Sequence, residues 1–160
     1  MKFKILLPLL FALNVNINAQ SSYMNEMLQY GWYLSYIIID GETMNLPTDP
    51  TGLQNISLNS ESSSGFNSDM ITSLNYGGNS LYFNINFHAN EPSFFFNYGA
   101  ATLIFSPWSS FESLYFDGIF LNNGNYEQVN PFNFSIVYLS DAPALFITNN
   151  LGNTAVYLGY

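Results

Sequence analysis

Polar and apolar residues alternate most regularly between Ser80 and His88. In "SLYFNINFH", Leu81, Phe83, Ile85 and Phe87 fall on one side of an extended chain, and Tyr82, Asn84, Asn86 and His88 on the other. A period of two held this long predicts a half-buried strand. The same alternation recurs at Phe132, Phe134, Ile136 and Tyr138 against Asn133, Ser135, Val137 and Leu139. Weaker strand patterns, rich in β-branched and aromatic residues, cover Trp32 to Asp40, Leu53 to Asn59, Met70 to Tyr76, Ala144 to Thr148 and Thr154 to Leu158. Ser93 to Phe105 carries two such runs around Gly99 and reads as one kinked strand or two short ones.

Turn chemistry separates these runs. Asp40-Gly41, "YGGN" (Tyr76 to Asn79), "NNGN" (Asn122 to Asn125), "SDAPA" and "NNLGN" all break the chain. Glu42 to Gly52, with Pro47 and Pro50, and the polar stretch Ser60 to Asp69 are expected as loops. Residues 20–30 read as a short lead-in with room for a turn of helix.

The period changes once. Trp108, Phe111, Leu114, Tyr115 and Ile119 recur at helical spacing, and Ser109-x-x-Glu112 has the form of a capping box. One short helix is expected near Ser110 to Phe120, with Gly118 weakening its end. About eight strands with turn signals every eight to twelve residues, and one helix, predict an antiparallel sandwich or barrel. No internal repeat and no second domain is visible.

Composition changes the picture at the N-terminus. The chain's two basic residues are Lys2 and Lys4, followed by the apolar run Ile5 to Leu13 and a small residue, Ala19, ahead of Gln20. That is the form of a secretory signal peptide, with cleavage expected between Ala19 and Gln20 and residues 20–160 remaining as a single domain. The apolar run is too short to span a bilayer. Expected localisation is therefore outside the cytoplasm: secreted, at the cell surface or in the periplasm. Removal of the leader takes away both lysines and leaves all eleven acids, a net charge of about −10. Such a surface repels polyanions, so nucleic acid and anionic membranes are excluded as partners. The 18% aromatic content argues for a folded core rather than disorder.

The candidate chemistry is sparse. There is no Cys, so disulfides, thiol nucleophiles and zinc–thiolate sites are excluded. His88 is the single His and sits on the polar face of its strand, where a solvated surface role is expected. No catalytic residue is assigned and no cofactor is expected. A pair of carboxylates could serve a glycoside hydrolase, but most acids fall in or beside predicted loops, where solvating charge is the default. Asp40, Glu42 and Asp49 form the first loop to consider for Ca²⁺, although no D-x-D-x-D-G pattern is present. Twelve Tyr and fifteen Phe either line a ligand cavity or fill the core. Any small-molecule ligand of a chain without Lys or Arg should be neutral or cationic.

The succession "GWYLSYIIIDG", "SGFN" (Ser64 to Asn67), "FESLYF" and "ALFITNNLGNTAVY" resembles the META-type and lipocalin-like small barrels of secreted Bacteroidota proteins. The likeness runs from Gly31 to Tyr160, and the leader ending "NAQ" resembles exports from the same bacteria. The resemblance implies an antiparallel lipocalin-like or META-like β-barrel of about eight strands, with Trp32 plugging one end of the core. META domains often carry Cys near the Gly-x-Asn loop and before the helix; Phe66 stands within that loop here and Cys is absent. Relatives of this kind often continue into a type IX secretion sorting tail, so a chain stopping at Tyr160 is expected to lack the tail or to be a fragment. The function these features imply is that of a non-enzymatic secreted barrel binding a small ligand. Its rivals are a structural or adhesion module with a filled core, and a carboxylate hydrolase. A sealed core favours the module, an open barrel mouth the ligand carrier, and two carboxylates in one cleft the hydrolase.

Overall fold

The computed structural model of the protein describes residues 23–47, 56–64, 67–74, 79–88, 90–102, 109–125 and 127–160. The expected leader with its Ala19–Gln20 junction lies outside the described residues, as do Asp49, the Gly65–Phe66 pair and Trp108. Residues 23–28 form a helix, α1. Nine strands follow among the described residues: β1 (Trp32–Ile39), β2 (Glu42–Asn45), β3 (Ile56–Ser64), β4 (Asn67–Leu74), β5 (Ser80–Phe87), β6 (Ser93–Ala101), β7 (Phe132–Tyr138), β8 (Pro143–Thr148) and β9 (Thr154–Gly159). Between β6 and β7 lie α2 (Ser109–Tyr115) and a π-helical turn, Phe116–Leu121.

The sheet is an antiparallel barrel. From β3 to β9 each strand pairs with the next, and β9 returns to pair with β1 from Trp32 to Ile38. β2 and β3 share one edge of β1: β2 lies opposite Tyr36 to Ile39, and β3 opposite Trp32 and Tyr33. The two run end to end and act as one stave, so the ring has eight positions. The β9–β1 pairing completes the ring, and an eight-membered ring leaves an interior that side chains can fill.

The first hairpin follows from its turn. Asp40 and Gly41 take φ of 51° and 82°, the pair of left-handed residues that a two-residue I′ turn requires. Ile39 therefore faces Glu42 and pairing resumes at once. The loop expected from Glu42 is thus a strand as far as Asn45. A second correction concerns Ser60 to Asp69. β3 and β4 pair from Ile56↔Leu74 to Ser64↔Asn67, so most of the expected loop is a ladder. Backbone hydrogen bonds hold it, and a run of Ser and Asn gives no alternation to reveal it.

β5 obeys its pattern. Leu81, Phe83 and Ile85 are fully buried and Phe87 nearly so, whereas Asn86 and His88 are exposed. Asn84 departs from it at 9% exposure, because Asn97 Nδ2 donates to its Oδ1 at 2.9 Å beside the β5–β6 bulge. β6 runs unbroken through Gly99 to Ala101 with a bulge between Phe96 and Tyr98, and residues 103–105 of the second run lie outside the described residues. β7 alternates through Phe134, then Tyr138 emerges at the rim, 59% exposed, and donates to Glu26 at 2.9 Å. β6 and β7 share two ladder positions. Beyond them the Asn130 side chain accepts from the Phe96 N–H and donates to the Phe96 carbonyl, standing in for a strand.

The interior is packed with rings. Phe96, Phe83, Phe120, Phe132 and Phe94 lie in sequence with centroids 4.8–5.8 Å apart. Burying one such side chain stabilises by about 1.5–3 kcal/mol. Trp32 is fully buried, its indole N–H donating to the Met27 carbonyl at 2.8 Å, which ties α1 against the barrel. Three hydroxyls cross the core: Thr72 to Tyr115 at 2.9 Å and Tyr115 to Tyr157 at 2.7 Å, all fully buried. Burial pushes both phenols above their ordinary pKa.

α2 and the π-turn lie over the end opposite α1. Phe111, Tyr115, Phe116, Ile119 and Phe120 are buried, while Leu114, expected in the apolar stripe, is 43% exposed. Phe116 and Phe120 complete the stripe instead, where the π-turn adds a residue to the winding. Glu112 is 2% exposed, and its two carboxylate oxygens accept from the backbone and side-chain N–H of Asn79 at 2.8 Å each. A buried carboxylate requires such donors, and this pair fixes the helix to the start of β5.

Candidate functional site

The turn that closes the barrel also shapes a recess beside it. A π-helix forms i→i+5 bonds, here from the Asn122 N–H to the Asp117 carbonyl at 2.8 Å. The Gly118 and Ile119 carbonyls turn to other donors. Asn149, in the β8–β9 turn and 3% exposed, gives one N–H to each, at 3.0 and 2.9 Å. Its Oδ1 accepts from the backbone of Leu151 and Asn153, both at 3.0 Å. Asn153 adds a second donor to the Gly118 carbonyl and accepts the Asp40 N–H, both at 3.0 Å. Two asparagines therefore clasp three segments: the β8–β9 turn, the π-turn and the β1–β2 hairpin. Ile39 closes against Gly118, where an added Cβ would lie 2.7 Å from Ile39 Cδ1.

These segments frame an open groove of about 680 Å³. Its polar lining includes Asp40, Ser110, Ser113, Asp117, Asn122 and Asn153, and Leu114 and Leu151 form apolar flanks, 43% and 51% exposed. Ser113 donates to Asp117 at 3.2 Å. The described chain contributes no Lys or Arg anywhere, so the groove offers carboxylates, hydroxyls and amides to a ligand but no cation. Asn122, Asn123 and Gly124 take φ of 44°, 55° and 85°, turning the chain sharply at the groove's edge.

Asp40 lines the groove, as does Asp117, while Asp49 of the loop considered for Ca²⁺ lies outside the described residues. Glu42 is exposed on β2, and among the described residues no group of three or more Asp, Glu or His comes together as a metal site. His88 is exposed at the end of β5, accepting from the Asn90 N–H at 3.4 Å, and is not part of the groove. Sequence reading missed Asp117, Asn149 and Asn153. "NNLGN" reads as a turn and no more, although buried Asn side chains in a turn are what a clasp between loops requires.

A second recess, about 220 Å³, opens at the other end between α1 and β7, against Tyr23, Glu26 and Phe134. Glu26 accepts the Tyr138 hydroxyl there and raises that phenol's pKa to about 12.

No protein-family model matches the sequence, and no curated protein does. Among solved structures, a protein from Burkholderia xenovorans determined by NMR is similar at a TM-score of 0.55. The similarity covers 85% of this chain and 86% of that one, at 16% identity. It is a likeness of fold. Among the described residues no helix is long and apolar enough to cross a membrane.

Proposed function

We propose that the protein is an exported, non-enzymatic binding module whose ligand sits in the groove beside the π-turn rather than inside the barrel. One observation carries this reading: the barrel interior is filled by stacked Phe side chains and covered by α2, while the groove outside has the volume of a ligand site. A lipocalin-like carrier would need the interior space that Phe83, Phe94, Phe120 and Phe132 occupy. The groove's chemistry selects the ligand class. Two aspartates without a basic neighbour oppose anions; hydroxyls and amides suit a polyol or an amine; Leu114 and Leu151 suit an apolar ring face. A neutral carbohydrate or an organic amine meets all three conditions.

Calorimetric titration against panels of neutral oligosaccharides and of di- and polyamines tests the proposal. Binding weakened at least tenfold by Asp117→Asn or Leu151→Ala, with the fold intact, would support it. Binding equal in wild type and both variants would contradict it. Because Asp40 and Asp117 line one groove, the same mixtures should be assayed for cleavage: an oligosaccharide recovered unchanged agrees with a binding module, and hydrolysis lost in Asp117→Asn would replace it with a carboxylate hydrolase.

A further inference from the structure

The hydrogen bonds around the groove have a polarity. Ser113 gives its hydroxyl proton to Asp117 Oδ2 at 3.2 Å, Asn122 Nδ2 donates to Gln128 Oε1 at 2.9 Å, and Asn153 Nδ2 donates to the Gly118 carbonyl at 3.0 Å. Donors are thus turned onto the protein, and the two carboxylates stand as the strongest acceptors in the lining. Their backbones are tied to each other. Asn153 also accepts the Asp40 N–H at 3.0 Å, so one carboxamide joins Asp40 to the residue that follows Asp117. Neither aspartate has a basic side chain beside it, because no Lys or Arg occurs after Lys4 and His88 lies outside the groove. The rest of the lining is mostly aliphatic: Ile39, Leu114 and Leu151 contribute to it. Among the described lining residues there is no aromatic ring, although 18% of the chain is aromatic.

We propose, on the reading of this groove as the ligand site, that it binds a linear aliphatic diamine, with an ammonium group at each aspartate and the methylene chain along Leu114 and Leu151. A primary ammonium carries three donors and no acceptor, which matches a site whose own donors are engaged. A sugar presents hydroxyls that need donors as well as acceptors, and a ring face that no aromatic residue here meets. A quaternary ammonium is held by an aromatic cage, which the lining lacks. A monoamine leaves one of the two carboxylates without a countercharge. The field of the whole protein acts in the same direction: a net charge of −9 draws cations in and concentrates them at an acidic cleft. The hydrocarbon between the two ammonium groups covers apolar surface that Leu114 and Leu151 otherwise leave in water, at 43% and 51% exposure.

Calorimetric titration of residues 20–160 with putrescine, butylamine and butanediol tests this, since the three share a chain length and differ in ammonium groups. Putrescine should bind about tenfold more tightly than butylamine, the size of one charge-assisted hydrogen bond, and butanediol should not bind. Putrescine affinity should fall as sodium chloride is added. Asp40→Asn keeps a residue suited to the left-handed position of the I′ turn, and Asp117→Asn keeps an acceptor for Ser113. In each variant the advantage of putrescine over butylamine should disappear. Asp141→Asn removes the same unit of charge from the exposed β7–β8 turn, outside the groove, and should bind putrescine like wild type. Putrescine held no better than butylamine, or weakened as much by Asp141→Asn as by Asp117→Asn, would overturn the proposal by reducing the effect to diffuse attraction. A neutral oligosaccharide that binds while putrescine does not, and is lost in Asp117→Asn, would overturn the diamine and leave the groove as the ligand site. Binding by neither class would overturn both.

Discussion

Replacing Asn149 by Ala should destabilise the protein more than replacing any exposed loop residue. The side chain makes four hydrogen bonds of 2.9–3.0 Å to backbone groups of two segments and is 3% exposed. At about 1 kcal/mol net for each bond, the loss is roughly 4 kcal/mol, reduced where water enters to satisfy a carbonyl. A domain of this size has on the order of 5–15 kcal/mol to lose, and about 4 kcal/mol corresponds to a fall of roughly 10–15 °C in melting temperature. Asn149→Asp is the sharper variant. It retains the acceptor but faces a carboxylate against the Gly118 and Ile119 carbonyls, so it should cost at least as much as Ala. Asn150, exposed and bonded to Val129 through its backbone N–H alone, supplies the control: Asn150→Ala should stay within about 0.5 kcal/mol. Urea unfolding of the three variants measures this, read as a change in midpoint at constant slope. An Asn149→Ala cost below about 1 kcal/mol at unchanged slope would show that the clasp does not hold the π-turn, and that the groove's shape has another origin.

Other outcomes follow from the same packing. Phe83→Ala should cost about 3–5 kcal/mol by opening a cavity, and Asn84→Ala about 1–2 kcal/mol rather than the near-zero of a solvated site, both by urea unfolding; equal costs would mean β5 has no inner and outer face. Gly99→Ala should cost about 1–3 kcal/mol, because the new Cβ would lie 2.7 Å from the Tyr82 carbonyl oxygen, a backbone atom with little freedom to move; a melt equal to wild type would count against the close β5–β6 approach. The phenols of Tyr115, Tyr157 and Tyr138 all titrate above their ordinary value, so the folded state holds protons that the unfolded state releases. Their contribution to stability is therefore complete below about pH 10 and declines as pH rises through the folded values. Melting temperatures should fall above pH 10, and phenolate absorbance of Glu26→Gln should show one tyrosine titrating earlier than its folded value of about 12; an unchanged titration would break the Glu26–Tyr138 assignment.

What was legible in the sequence was whatever obeyed a period. Leu81 to Phe87 alternated, and the strand is there. Phe111 and Tyr115 recurred at helical spacing, and the helix is there. Asp40-Gly41 announced a tight turn; that Glu42 to Asn45 pairs back on β1 follows from the I′ geometry, but Glu42, Thr43 and Asn45 carry no apolar alternation to mark a strand. Ser60 to Ser64 was hidden in the same way, since a ladder held by backbone bonds leaves no hydrophobic trace. Leu114 was misplaced and Phe116 and Phe120 overlooked because a π-turn breaks the 3.6-residue count on which the stripe relied. The groove was legible only through Asp40. Asp117 and the two asparagines come together through contacts between turns more than thirty residues apart in the chain, and no spacing rule reaches that far.

The central claim is that the barrel is full and its ligand site lies outside. Amide chemical-shift mapping during titration with a binding oligosaccharide or amine tests it most directly. The expected shifts are confined to Asp40, residues 113–123 and residues 149–153, saturate together, and are lost in Asp117→Asn. Shifts centred instead on Phe83, Phe94, Phe132 and Tyr157, with the groove residues unmoved, would place the ligand inside the barrel and contradict the account.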